Sequence, residues 1–325
     1  MANQDKIWIS VAIMATVSLI AGYVYTNMAI DNDPYKDKEL LKRGLDLPII
    51  WLYYDNSEVN SRYWADFGSR SSRALNMPFL NLCYDNIVTL NNKEYRVEVI
   101  GGLQGIAEKL DGVENMPTKM RNLLSYVGEA ERNWIRAAIL AKYGGLWLEP
   151  SSICLRKFGN LPDKIIFFGT DLDEQFSGPE GTDIPGMRGI WCYKAGHEVF
   201  INWAKAAYDR LELQNGGGQI RNDAKWDWIE YASKNQDVIV WSYGEVDRKG
   251  ASGKRIEIDD LFMTGEIDKM PFAISNKAYY VGIPWYEIKQ RSKYGWFLRM
   301  SEEQIMENDL IIKYLLMIGS TIKTI

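Results

Sequence analysis

Two side chains in this sequence are spaced to meet across a helix–strand turn. Arg136 lies nine residues before Gly145, and Glu149 lies four residues after it. Good helix formers fill 129–143, Gly144 and Gly145 supply a left-handed turn, and the apolar "LWL" that follows reads as a strand. Nine residues of helix reach back roughly 13 Å at about 1.5 Å each, and four residues of strand reach roughly 13 Å at about 3.3 Å each. The guanidinium and the carboxylate therefore finish level at the carboxyl end of a strand, where open α/β sheets place their ligands. Asn133 shares a helix face with Arg136, and Arg132 precedes it by one turn. A cation and a carboxamide facing a strand-end carboxylate suit a nucleoside diphosphate. The same spacing suits, equally well, an ion pair that only ties helix to strand.

Other chemistry-bearing groups are more scattered. Ser151 stands two residues beyond Glu149, where a metal site built on paired carboxylates would have its second acid. A literal acid-x-acid occurs at Asp171-Leu172-Asp173, after an apolar run but without a helix and Gly-Gly before it. Glu174 is a further acid beside it, and Asp259-Asp260 is a weaker pair. The run "KQRSKYGWFLR" (289–299) sets Lys289, Arg291, Lys293 and Arg299 around Trp296, and reads either as a solvated basic turn or as a phosphate-facing loop. His197 is the only histidine, which excludes a His-rich metal centre; beside a helix start it reads as a cap or surface residue. Three widely spaced cysteines form neither a zinc pattern nor a disulfide framework. The loop "VDRKGASGKR" (246–255) lacks the residue order of a phosphate-binding P-loop. A net charge of −5 gives no footprint for nucleic acid.

The elements that must position these groups alternate in kind. Strands are expected at "PIIWLYY" (48–54), "YRVEVI" (95–100), "LWLE" (146–149), "KIIFFG" (164–169) and "DVIVW" (237–241), with helices at 129–143 and 198–213. The pattern predicts an α/β sheet with helices on both faces. The 12 Trp and 19 Tyr read chiefly as packing. From 301 a Ser-x-x-Gln capping box opens an apolar-faced C-terminal helix (301–325) expected to dock on the domain. Residues 7–30 carry no charge and are long enough to cross a bilayer, so an uncleaved anchor is expected after a short tail (1–6). A polar stem (31–47) leads to the main domain (48–300). Lys36, Lys38, Lys42 and Arg43 after the span, against Lys6 before it, lean toward a single-pass protein with a cytoplasmic C-terminal domain.

The segment "RNWIRAAILAKYGGLWLEPSSICLRKFG" (132–159) resembles the signature of the capsular polysaccharide synthesis and DXD-sugar glycosyltransferases: Asp-x-x-Arg on a helix, then "YGG", then a strand ending in a metal-binding acid. "PIIWLYY" is similar to the first strand of those enzymes and "KAGHEVFINW" (194–203) to a Pro-Gly-His segment of theirs. "VNSRYWADFGSRSS" (59–72) and "IPWYEIKQRSKYGWFLRMSEEQI" (283–305) look closer to members encoded by large DNA viruses. The resemblance implies a GT-A (Rossmann-like) mixed sheet flanked by helices, behind the N-terminal transmembrane helix. It also implies transfer of a sugar from a UDP- or GDP-sugar to a glycan or glycoprotein acceptor. It places Tyr53, Asn133, Arg136, Lys293, Trp296 and Arg299 at the donor, Glu149 and Ser151 at a divalent cation (Mn²⁺ or Mg²⁺), and Glu149 and Arg136 in catalysis; Asp171 and Asp173, outside the family's helix–Gly-Gly unit, read as a loop or acceptor-side feature and as catalytic candidates by proximity alone. Two positions depart from the pattern: Asn133 brings no charge where the family has Asp, and Ser151 offers only a neutral hydroxyl or a water. One carboxylate can suffice, because the diphosphate brings oxygens of its own. The alternative is a catalytically inactive chain of the same fold, acting as a membrane-tethered binding or structural protein.

Overall fold

The first strand, β1 (Ile49–Tyr54), is buried along almost its whole length, as befits an unbroken apolar run in the middle of a parallel sheet. The structure, a computed structural model, describes residues 47–59, 77–170, 184–215, 224–245, 257–265, 272 and 274–321. The expected span at 7–30, the stem, Asp171, Asp173, Glu174 and the loop 246–255 lie outside the described residues. No helix among the described residues is long and apolar enough to cross a membrane.

After β1 come a short helix α1 (Asn56–Val59), α2 (Pro78–Asn91), β2 (Arg96–Gly101), α3 (Gly102–Lys109) and α4 (Glu129–Tyr143). There follow β3 (Gly145–Leu148), β4 (Ser152–Cys154), β5 (Ile165–Thr170), β6 (Pro185–Cys192), α5 (Glu198–Asn215) and α6 (Ala224–Asp227), which continues into a π-turn. The chain closes with β7 (Val238–Trp241), α7 (Ile258–Leu261), β8 (Tyr280–Gly282), α8 (Trp285–Gln290), α9 (Glu302–Glu307) and α10 (Ile311–Thr321). Six strands form a mixed sheet in the order β2-β1-β3-β6-β5-β7. β1 runs parallel to β2 and β3, and β5 runs parallel to β7. β6 is antiparallel to both of its neighbours, β3 and β5, so it alone runs against the rest. A two-stranded antiparallel sheet, β4–β8, stands beside this one.

Alternate residues of each strand serve opposite faces. Ile50, Leu52, Tyr54, Leu146 and Leu148 join the core built with α2, α9 and α10. Trp51, Tyr53 and Trp147 join the core built with α3, α4 and α5. The sheet is thus a central layer flanked by helices, as the sequence pattern predicts.

Two details differ from that pattern. β6 was not expected: "PGMRGIWC" opens on Pro and Gly and alternates poorly, and its pairing with β3 and β5 stabilises it as a strand. The C-terminal helix is two helices. Its capping box forms, with Ser301 Oγ accepting from the Gln304 N–H at 3.2 Å and Gln304 Oε1 accepting from the Ser301 N–H at 2.9 Å. The chain then leaves helical conformation at Asn308 (ψ 154°). Asn308 and Asp309 are poor helix-interior residues, and Leu310 bridges to Thr264 before α10 begins.

Candidate functional site

The helix–Gly-Gly–strand unit is held against β1. α4 ends at Gly144 (φ 65°), and β3 begins at Gly145 (φ 90°). The Trp51 indole N–H donates to the Gly144 carbonyl at 2.8 Å, and a Cβ on Gly145 would stand 2.5 Å from the Ile49 carbonyl oxygen. Only glycine fits there, so the turn brings the returning strand close against β1. Its result is the meeting the rise arithmetic predicts: Arg136 Nη2 lies 3.5 Å from Glu149 Oε1, and 4.0 Å from Glu129 Oε1. The Arg136 side chain is 4% exposed and that of Glu149 25%, so a buried guanidinium underlies a carboxylate that faces solvent. The Glu149 N–H donates to the Arg188 carbonyl at 2.8 Å, carrying the β3–β6 ladder one residue further.

At the carboxyl end of β1 lies a cleft of about 340 Å³, which neither Arg136 nor Glu149 lines. Its walls include Tyr53, Asp55, Asn56, Tyr126, Tyr286 and Lys289. Alternating charges brace one side. Arg132 Nη2 donates to Asp55 Oδ2 at 3.1 Å, with its guanidinium 4.4 Å above the Tyr286 ring. Lys289 Nζ reaches Glu58 Oε1 at 2.6 Å and Asp55 Oδ2 at 3.4 Å. Glu58, itself buried, also accepts from the Trp285 indole N–H at 3.0 Å and the Asp55 N–H at 3.0 Å. Burial pushes the Asp55 carboxyl above its ordinary range, against the pull of Arg132 and Lys289. Burial would lower the Arg132 pKa, but the surrounding carboxylates, Asp55 and Glu149 foremost, more than offset it.

The other predicted residues are placed differently. Asn133 is fully buried, donating to Asp227 Oδ2 at 2.6 Å and accepting from the Trp203 indole at 3.0 Å. Both ends of its amide thus face the core. Ser151 is buried and donates to the Ile283 carbonyl at 2.8 Å. Lys293 pairs with Asp259 at 2.6 Å, Trp296 packs edge-on against Phe262, and Arg299 is exposed. None of these three lines the cleft. His197 caps α5, its Nδ1 accepting from the Val199 N–H at 3.2 Å, and Asp260 caps α7 through the Glu257 N–H at 2.7 Å. Of the expected site residues, the structure gathers Tyr53, Arg136 and Glu149 at one end of the sheet.

Sequence reasoning missed several neighbours. Asp55 and Tyr286 line the cleft, and the buried Glu58 joins Lys289 of its wall to the Trp285 indole. Arg188 donates from Nη1 to Glu245 Oε1 at 3.1 Å and to the Gly282 carbonyl at 2.6 Å. Tyr280, deeply buried, feels both Glu245 and Glu149, and its phenol is held well above the ordinary range, chiefly by burial. The acids directly after "PIIWLYY" were the available signal for Asp55 and Glu58; Arg188 and Glu245 offered none.

A divalent cation takes several hard oxygens, carboxylates first. At Glu149 the described residues do not fit that need. The carboxylate already faces the Arg136 guanidinium, and the Ser151 hydroxyl is engaged with a backbone carbonyl. Among the described residues there is no group of three His, Cys, Asp or Glu side chains that could hold a metal.

No family model matches the chain, and no curated protein sequence does. Among solved structures, the chain is similar to one titled PaToxG Glycosyltransferase, at 12% sequence identity and a TM-score of 0.34, over 57% of this chain and 70% of that one.

Proposed function

We propose that this chain is a nucleotide-sugar-dependent glycosyltransferase of the GT-A type. The observation that carries the reading is the Arg136–Glu149 pair at the carboxyl end of β3, the strand parallel to β1, whose own carboxyl end opens on the cleft. That is the place where an open α/β sheet binds a ligand, and the residues belong to the segment whose sequence resembles the capsular polysaccharide synthesis and DXD-sugar enzymes. Tyr53, Tyr126 and Tyr286 offer rings to a nucleoside. Arg136 brings a fixed positive charge to the diphosphate. Glu149, oriented by Arg136 and open to solvent, accepts hydrogen bonds from sugar hydroxyls.

In the transfer, the bond from the sugar's anomeric carbon to the diphosphate breaks, and its electron pair stays on the diphosphate oxygen. The acceptor hydroxyl oxygen bonds to the same carbon and releases its proton to a carboxylate or to water. A preorganised cation lowers this barrier because charge grows on the departing diphosphate. Asp171 and Asp173 are proposed on the acceptor side, and a glycan or glycoprotein as the acceptor. The span at 7–30 would hold the enzyme at a membrane with its C-terminal domain cytoplasmic.

A second reading is a donor-binding protein without turnover. What favours it is Asn133, whose amide is spent on Asp227 and Trp203. The full chain in detergent, assayed against a panel of UDP- and GDP-sugars, separates the two. Turnover is expected, falling about 100-fold or more in Glu149→Ala. A nucleotide-induced rise in melting temperature without turnover selects the second reading. No turnover and no shift sinks both.

A further inference from the structure

Four buried donor atoms around the Arg136–Glu149 pair have no hydrogen-bond partner among the described residues: Arg136 Nε, Arg136 Nη1, Tyr53 Oη and Trp147 Nε1. They sit together. The Arg136 guanidinium carbon lies 5.9 Å from the Trp147 ring centre, and the Tyr53 and Trp147 rings stack with centres 6.5 Å apart. Leaving one such donor unmet in a protein interior costs about 1–3 kcal/mol, so these donors favour a partner that brings acceptors. A guanidinium and an indole can only donate, and a phenol can donate as well. The ligand they fit is therefore rich in acceptor oxygens and negatively charged. Tyr53 lines the cleft and Glu149 is partly exposed, whereas Arg136 and Trp147 do not line it and their donors are buried, so a ligand entering past Tyr53 and Glu149 has to shift side chains to reach them. Glu149 and Glu129 face Nη2 alone, at 3.5 and 4.0 Å; the Nε and Nη1 donors are left for the ligand.

The same geometry works against a cation. A divalent ion at Glu149 would share its carboxylate with a guanidinium already 3.5 Å away, and the two positive charges would repel at close range. We propose that the diphosphate of the donor is bound by this guanidinium-centred nest without a divalent cation. The inference rests on the donor reading given above, but its central claim, a metal-free oxyanion site, is tested separately.

Inorganic pyrophosphate is the probe, titrated calorimetrically into the full chain in detergent, once with EDTA and once with Mn²⁺. Binding is expected in EDTA, with a dissociation constant within about threefold of that in Mn²⁺. Arg136→Lys keeps a charge but loses the planar fork, and is expected to weaken metal-free binding about tenfold or more. Tyr53→Phe removes one hydroxyl and keeps the ring; it should weaken binding several-fold and stands in if Arg136→Lys does not fold, as judged by circular dichroism. Binding that vanishes in EDTA and returns with Mn²⁺ overturns the proposal, as does the absence of binding in both, or full affinity in both variants. Metal-free pyrophosphate binding without turnover of any nucleotide sugar leaves the nest standing and removes the glycosyltransferase. Turnover that requires Mn²⁺, with no pyrophosphate bound in EDTA, does the reverse.

Discussion

His197 is buried, and its imidazole is neutral for a structural reason. Nδ1 accepts the Val199 N–H at the start of α5, so the ring proton resides on Nε2, which lies 3.8 Å from Asp237 Oδ2. Protonation of Nδ1 would remove that cap. Burial lowers the His197 pKa below 6.5 and Lys194 adds to the effect, while Asp237 opposes it. A depressed histidine pKa means that the unfolded state binds the proton more readily. The stability contributed is therefore present above about pH 6.5 and is lost as pH falls through the folded-state value. With no other histidine in the chain, and with the Asp55 and Asp227 carboxyls raised by burial and so acting in the opposite sense as pH falls, the decline between pH 7 and 5.5 is assigned to this side chain. The melting temperature should fall over that window in the parent, and clearly less in His197→Asn, which keeps a capping oxygen. Equal slopes in the two proteins would refute the assignment. Asn133 shows how a residue's role escapes spacing arguments. It stands three positions from Arg136, about 60° around the helix, and that rotation suffices to turn it toward Trp203 and Asp227 while Arg136 faces Glu149.

Elements set by neighbouring residues were legible in the sequence; elements set by distant partners were not. α4, its glycine turn and β3 follow from helix formers, two glycines and an apolar run within a single stretch. Their outcome, Arg136 level with Glu149, follows from rise per residue alone. β6 and α8 carry no comparable local signal. β6 is a strand because β3 and β5 flank it. In α8, Lys289 reads as part of a basic loop until Glu58 and Asp55, more than 200 residues earlier, are seen beside it. The glycine turn can be tested against a control. Gly145 and Gly196 both have positive φ, 90° and 70°. An added Cβ at Gly145 meets the Ile49 carbonyl at 2.5 Å, whereas at Gly196 it meets nothing within 4 Å. Gly196→Ala should cost only the left-handed conformation, about 1 kcal/mol. Gly145→Ala adds a clash with the β1 backbone and should cost roughly 3 kcal/mol. Urea midpoints that place the two variants together would show that the close approach of β3 to β1 contributes nothing.

At the scale of the molecule, the question is what holds the domain where it acts. α10 is apolar and buries Ile312 and Leu315 against the main core, but at 11 residues it is about half the length needed to cross hydrocarbon. It serves the fold. The uncharged stretch 7–30 is long enough, and the hydrophobic core of the described residues begins only at Ile49 and Ile50. Tethering and folding should therefore separate. The full chain should stay with membranes through alkaline carbonate extraction, and a chain of residues 48–325 should remain in the supernatant. The two should melt within a few degrees of each other, because the core residues of both faces of the sheet lie beyond 48. Lys36, Lys38, Lys42 and Arg43 follow the stretch and only Lys6 precedes it, so protease added to sealed, right-side-out vesicles should spare the domain. Full-length protein released by carbonate would remove the anchor, and digestion in sealed vesicles would reverse the orientation while leaving the anchor intact.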